Sequence, residues 1–351
     1  MPLTTTCIGA FPKPDCLPEF DWFQAEGGPD TAHPTAQYAA AIAEMGAAAE
    51  VRFVEAAGRV IADQEAAGID IVTDGEVRRE NYIYYHCRHL DGFDFDKLTE
   101  QDVRGGNYTA WLPTIRGPVK PREAFLPHDW RAAQALTERP VKVTIPGPMT
   151  IADSVADAHY GDQNSLGADL GEAINVEVRR LAEAGCRHIQ VDEPLFARRV
   201  EDALDYGFDN LERCFHGCPE TVTRTVHMCC GYPDRLDNPD YPKALKDSYF
   251  RLAEAVDRSS IQAVSVEDAH RPNDLSLLER FAETTVIFGV VAIAKSRVES
   301  VEELRDRLAK ALEHIDAERL VAAPDCGLGI LGRDLAVAKL TNMAKAAHSL
   351  A

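Results

Sequence analysis

No run of apolar residues in this 351-residue sequence approaches the roughly 18 that a membrane span requires. Basic residues are scarce. Lys and Arg total 37 against 57 Asp and Glu, and the formal charge of −20 repels phosphate backbones and anionic lipid surfaces, so neither nucleic acid nor membrane is expected as a partner. The opening stretch MPLTTTCIGAFPKP has no basic region leading into an apolar one, as a secretory signal would, which makes the cytoplasm the expected location. No Ser/Gly-rich linker or low-complexity block divides the chain, and no G-x-G-x-x-G follows a strand-like run, which removes the usual sign of a dinucleotide-binding sheet. The nine cysteines are odd in number and scattered through a chain too long to need disulfide staples. They are read as reduced thiols, some of them free to bind metal.

What is present is a 45% hydrophobic chain, enough for a full-sized core, in which strand-like apolar runs alternate with helical patterns from end to end. The candidate strands are Thr5 to Gly9, Ile69 to Thr73, Val141 to Ile145, His188 to Val191, Thr223 to His227, Ala263 to Val266, Val286 to Val290 and Leu320 to Ala323. Helical spacing covers Ala36 to Ala67, Leu170 to Ala184, Tyr241 to Ala255, Val301 to Ala311 and Leu335 to His348. Eight strands with intervening helices predict an α/β fold, a single (β/α)8 TIM barrel over residues 1–351. The span 78–140 is too long and too rich in Gly, Pro and aromatics for a simple connection, so it is read as an insertion after strand 2, with a hairpin in GGNYTAWLPTIRG.

Polar residues follow the apolar core of most strands: Asp74-Gly75-Glu76, Pro146-Gly147-Pro148, Asp192-Glu193-Pro194, His227-Met228-Cys229-Cys230, Glu267-Asp268 and Pro324-Asp325-Cys326-Gly327. In a barrel these positions share the C-terminal rim, where active sites of such folds lie. His227 and Cys229 are two apart at a strand end, so both project to one side and can grip one ion. A thiolate, an imidazole and a carboxylate together suit Zn2+, and Cys326 and Glu267 can complete the set. Alone, an H-x-C is more often structural, Cys326 more often a small buried hydrophobe, and Asp192-Glu193-Pro194 more often a helix start. The coincidence of soft ligands at three strand ends favours the metal. Cys214, His216 and Cys218 are closely spaced too, but read as a helix end capped by Gly217, and Cys230 is expected to face away from Cys229.

These segments, TTTCIGAFP, IVTDGEVRREN, IPGPMTI, IQVDEP, VHMCC, VSVED and PDCGLG, resemble the catalytic barrel of the cobalamin-independent methionine synthase family over nearly the whole chain. The resemblance implies zinc bound by His227, Cys229, Glu267 and Cys326, with Glu267 the exchangeable ligand. It also implies Glu76 and Asp192 against the acceptor amino acid and the backbone of Ile8, Gly9 and Ala10 near its carboxylate. Glu267 and Asp192 are the candidate catalytic carboxylates. The expected reaction is methyl transfer to a small thiol, homocysteine above all, to form methionine. The expected partners are that thiol and a methyl donor, a protein-bound methyl carrier among the options.

Three departures stand out. Ala10 replaces a serine of the family's I-G-S-F-P, Ala152-Asp153-Ser154-Val155 follows Ile151 where longer members carry a folate-stacking tryptophan, and Ala292-Ile293-Ala294-Lys295-Ser296 stands where they carry D-I-H-S with a proton-relay histidine. The second, N-terminal barrel of the folate-dependent enzymes is also absent from these residues. They leave three other readings open: alkylation of a different thiol, such as a sulfonate-bearing one, by an epoxide or another electrophile; zinc-activated water and hydrolysis; and a non-catalytic zinc-binding regulator.

Overall fold

The computed structural model describes residues 2–17, 32–103, 108–233, 235–238 and 241–350. Its strands in chain order are β1 (Thr4–Thr5), β2 (Val72–Thr73), β3 (Leu90–Val103), β4 (Tyr108–Pro121), β5 (Val141–Pro146), β6 (Ala156–Asp157), β7 (His188–Asp192), β8 (Thr223–Met228), β9 (Ala263–Glu267), β10 (Thr285–Val291) and β11 (Leu320–Pro324). Eight of them form one parallel sheet in the order β1-β11-β10-β9-β8-β7-β5-β2. Its two edges meet at a parallel bridge between Thr6 and Ile71, where Ile71 N–H donates to the Thr5 carbonyl at 3.0 Å and Thr6 Oγ1 to the Ile71 carbonyl at 2.9 Å. The sheet thereby curls round as a (β/α)8-type barrel, as the alternation of strand-like and helical runs predicts.

The wrapping helices follow from their sequence. Gln163–Ala184 begins where the Asp162 carboxylate accepts from the N–H groups of Asn164 and Ser165, and ends at Gly185 in the left-handed region with φ 111°. Between these caps Leu166, Leu170, Ile174, Val178 and Leu181 recur on one face and are buried against the sheet. Each such side chain contributes about 1.5–3 kcal/mol of burial.

Several expected bounds move. The first two strands are shorter than their apolar runs, because side chains hold the flanking backbone: beyond Thr5, Thr73 Oγ1 donates to the Gly9 carbonyl and Gln190 Nε2 to that of Ile8, and before Val72, Asp70 N–H donates to Thr5 Oγ1 and Thr6 Oγ1 to the Ile71 carbonyl. The expected helix Ala36 to Ala67 is two helices, Ala32–Met45 and Ala47–Ala67, parted at Gly46 with φ 52°. Tyr241 to Ala255 is helical only from Ser248, since Ala244 N–H donates to the Cys230 carbonyl at 2.8 Å and draws the preceding segment onto the tip of β8. After β2 come the helix Tyr82–Cys87, the antiparallel pair β3 and β4, and the helix Leu126–Gln134. Residues 104–107, which hold the Gly105-Gly106-Asn107 end of the expected hairpin, lie outside the described residues. β6, which pairs in parallel with β4, was not foreseen.

The lumen of the barrel is polar below its rim. Val141, Val143 and Ile145 of β5 pack in the core shared with the helices, so the alternate Lys142 and Thr144 face inward. Ile8, Ala263, Ile287 and Ala323, with the partly buried Val321 against them, form a small apolar group apart from the main core. Lys142 Nζ is buried without a hydrogen-bond partner among the described residues, and burial pulls its ammonium down from 10.5 to about 8, with Cys7 and Asp192 opposing. Between those two values the unfolded chain binds more protons than the folded one, so this lysine makes stability rise with pH and penalises the fold most below pH 8. Lys142→Met is therefore expected to raise the melting temperature at pH 7 and to flatten the rise between pH 8 and 10; calorimetric melts of both proteins over that range check it.

Candidate functional site

Parallel register sets the rim. Asp192 of β7 pairs with His227 of β8, and His227 with Ser265 of β9, so the next inward positions, Cys229 and Glu267, stand one level higher. Cys326 is the second residue beyond β11. His227 Nδ1 lies 2.9 Å from Ser265 Oγ, which turns the ring so that Nε2 points to the cleft, 3.4 Å from Cys326 Sγ. The donor atoms of His227, Cys229 and Cys326 all lie within 4.8 Å of one another. A hydrogen bond from Cys326, with His227 beside it, holds the Cys229 thiol well below the usual range, and the same bond holds Cys326 up.

These three residues floor a cavity of about 120 Å³ that is also lined by Ile8, Gly9, Ala10, Glu76 and Asp192. Glu76 sits at φ 59°, a left-handed backbone that costs a side-chain-bearing residue energy and aims the carboxylate back over the barrel mouth. Its Oε1 accepts from Thr144 Oγ1 at 2.7 Å and lies 3.1 Å from Arg79 Nη1. A Cβ on residue 9 would meet that oxygen at 2.5 Å, so a larger residue than Gly9 would push the Glu76 carboxylate from this place. Asp192 Oδ1 accepts from Gln190 Nε2 at 2.7 Å, and burial pushes this carboxyl up to about 7 against the opposing pull of His227. The adjacent Glu193 has a different task. It accepts from the N–H groups of Met149 and Thr150 and from Thr150 Oγ1, tying down the start of the helix Pro148–Ser154.

Glu267 is close by but outside the three-donor group. Its Oε1 accepts from Cys230 N–H at 2.8 Å, while its Oε2 is buried without a hydrogen-bond partner among the described residues. Burial pushes this carboxyl well up, with Asp325 and Cys229 adding to the effect. Glu267, His270 and Asp325 also fall within 4.8 Å of one another, but that cluster is already satisfied. Asp325 accepts from the N–H groups of residues 268–270 and from His270 Nδ1, and His270 Nε2 accepts from Ala294 N–H. With both ring nitrogens engaged, His270 has no lone pair to offer a cation. Among the described residues Cys214, His216 and Cys218 form no such cluster; Gly217 has φ 68° just beyond the helix Phe208–Phe215. Cys230 points away from the cleft, with its sulfur 3.2 Å from Tyr249 Oη.

Residues 3–349 match the model of the cobalamin-independent synthase catalytic domain. The chain belongs to the cobalamin-independent synthase family. A methionine synthase of Saccharolobus solfataricus is 30% identical over 343 residues, covering 97% of this chain and 92% of that protein, and one of Sulfolobus acidocaldarius is 29% identical over 345 residues, covering 98% and 91%. The B12-independent methionine synthase from Shewanella sp. W3-18-1, solved in complex with selenomethionine, superposes with a TM-score of 0.84 at 29% identity, covering 100% of this chain and 98% of that one.

The family implies a metal, and the residues fit zinc. A nitrogen and a sulfur ligand on one tetrahedral zinc stand ~3.6 Å apart, against 3.4 Å for His227 Nε2 and Cys326 Sγ. Glu267, outside the three-donor group, offers an Oε2 without a hydrogen-bond partner among the described residues. Pro194 and Gly327 of the strand-end motifs line the cleft too, together with Tyr82, Arg198 and Tyr232, which escaped the sequence reading because they lie at a helix start, a helix end and in a loop without a motif of their own. Ser265→Ala removes the bond that orients His227 and is expected to weaken zinc binding by about 10–100-fold, with the fold intact; competition with a chromogenic chelator measures it.

Proposed function

We propose that this protein is a zinc-dependent methyltransferase that activates a small thiol, homocysteine above all, and methylates it to methionine. The observation that carries the reading is the meeting of two thiols and an imidazole within 4.8 Å on the floor of a cleft that also holds two fixed carboxylates. The family and its methionine synthase relatives support it. The whole chain acts as one catalytic barrel in this reading, with 78–140 as an insertion.

His227, Cys229 and Cys326 would hold the zinc, with Glu267 as a fourth ligand whose place the substrate thiol would take. Bound there, zinc supplies a Lewis acid that removes the proton of an alkyl thiol whose free pKa is about 8.5. The chain's own groups do the rest. Glu76 and Asp192 each have one oxygen fixed by the protein, and the other two oxygens, Glu76 Oε2 and Asp192 Oδ2, take the substrate ammonium by charge-assisted hydrogen bonds. The backbone of Ile8 to Ala10 lies along the same cleft and receives the carboxylate end. Held at both ends, the thiol is left with its sulfur toward the metal ligands, and the entropy of alignment is lost on binding instead of in the transition state. A sulfur lone pair then forms the S–CH3 bond as the donor's bond to the methyl group breaks, its electron pair leaving with the donor. The donor, a small molecule or one carried by a protein, reaches the cleft from the side of the exposed Arg198.

Cys229→Ser and Cys326→Ser are each expected to weaken zinc binding beyond the ~100-fold that outer-shell changes cost and to abolish transfer of radiolabelled methyl to homocysteine. Full zinc content together with undiminished transfer in either variant would sink the assignment.

A further inference from the structure

Next to the metal ligands, three buried polar atoms lack a hydrogen-bond partner among the described residues: Glu267 Oε2, Lys243 Nζ and Tyr241 Oη. They are neighbours. Lys243 Nζ lies 4.0 Å from Glu267 Oε2 and 4.5 Å from the centre of the Tyr241 ring. One unsatisfied buried polar atom costs about 1–3 kcal/mol, so an acid and a base left facing one another just out of reach point to a pair that closes in another state of the protein.

The fold brings the lysine there on purpose-built backbone. Ala244 N–H donates to the Cys230 carbonyl, Gly231 lets Pro242 approach so near that a Cβ would meet its carbonyl oxygen at 2.3 Å, and Arg271 donates to the Ala244 carbonyl. The segment 241–245 is thereby clamped across the tip of β8, with Lys243 over Glu267. Arg271, the other cation nearby, is occupied by that carbonyl and by Cys230 Sγ. Glu267 is itself hinged. Cys230 N–H fixes Oε1 at 2.8 Å, whereas Oε2, 4.0 Å from Lys243 Nζ, is held by no hydrogen bond among the described residues.

We propose that Lys243 is the positioning residue that receives Glu267 when a thiol takes the carboxylate's place among the metal ligands. This rests on the zinc and thiol reading above. Exchange of one anionic ligand for another leaves the charge around the metal unchanged, but it would strand a buried carboxylate unless a cation met it, and stranding a buried charge is strongly unfavourable. Closing the 4.0 Å gap to a charge-assisted hydrogen bond takes a shift of only about 1.2 Å. Lys243 therefore lowers the cost of releasing Glu267 without touching the substrate.

The test uses zinc-loaded wild type, Lys243→Met and Lys243→Arg, with X-ray absorption at the zinc edge and calorimetric titration of homocysteine. Wild type is expected to go from the two sulfurs of Cys229 and Cys326 to three on adding homocysteine. Lys243→Met, with zinc still bound, should hold its carboxylate ligand, gain little sulfur signal and bind homocysteine at least about tenfold more weakly, while Lys243→Arg recovers most of the affinity. A third sulfur and unchanged affinity in Lys243→Met overturn the proposal while leaving the zinc and thiol reading in place. If wild type itself gains no sulfur, that reading falls and the proposal with it. Should Lys243→Met fail to fold, Lys243→Gln decides, since it also removes the cation: weaker homocysteine binding supports the pairing, and a third sulfur with an affinity equal to wild type overturns it.

Discussion

The site depends on strict parallel register between β7, β8, β9 and β11. A slip of one residue in any of them would turn its inward side chains toward the helices. Asp192, His227 and Ser265 would leave the lumen, and Cys229 would lose its place beside Cys326. The register is fixed by the alternate side chains: Val191, Val226, Val264 and Val266 are fully buried in the core shared with the helices. The hydrophobic effect acting outside the barrel thus sets the position of the polar groups inside it.

A second constraint is the density of buried acid around one cleft. Glu76, Asp192, Glu193 and Glu267 are all nearly inaccessible to water, in a chain whose overall charge is already strongly negative. Each has a distinct counterweight: Arg79 and Thr144 for Glu76, Gln190 for Asp192, a helix start for Glu193, and Cys230 N–H with Lys243 farther off for Glu267. Asp192 is held by a neutral amide and pushed upward by burial, with His227 and Arg79 pulling the other way.

How much of this was legible in the sequence follows from which physical signals are local. The strand cores and the helices Val301–Ala311 and Arg333–His348 carry their periodicity in adjacent residues, and the polar residues ending each strand give away the rim. The barrel and the candidate residues at its mouth could therefore be named. The break at Gly46 could not, because a lone glycine in a helical pattern does not say whether the backbone turns. The late start of the helix Ser248–Arg258 was hidden for a different reason: its apolar spacing extends back to Tyr241, and only the hydrogen bond from Ala244 to Cys230 takes that segment away. Lys243 became visible only in three dimensions. The division of labour in Asp192-Glu193 was equally opaque, since the helix that Glu193 ties down lies forty-odd residues earlier in the chain.

Asp325 has one further consequence. Through its carboxylate the residue preceding Cys326 grips the backbone of residues 268–270, which directly follow Glu267, and His270 passes the grip on to Ala294. The tips of three neighbouring strands are thus laced together by groups that take no part in coordination. In small zinc domains the ion organises the chain, and its loss unravels the pocket. Here the scaffold keeps its shape from hydrogen bonds of its own, so an ion leaving and returning would find the same socket, and loading becomes an event in a finished protein instead of a stage in its folding.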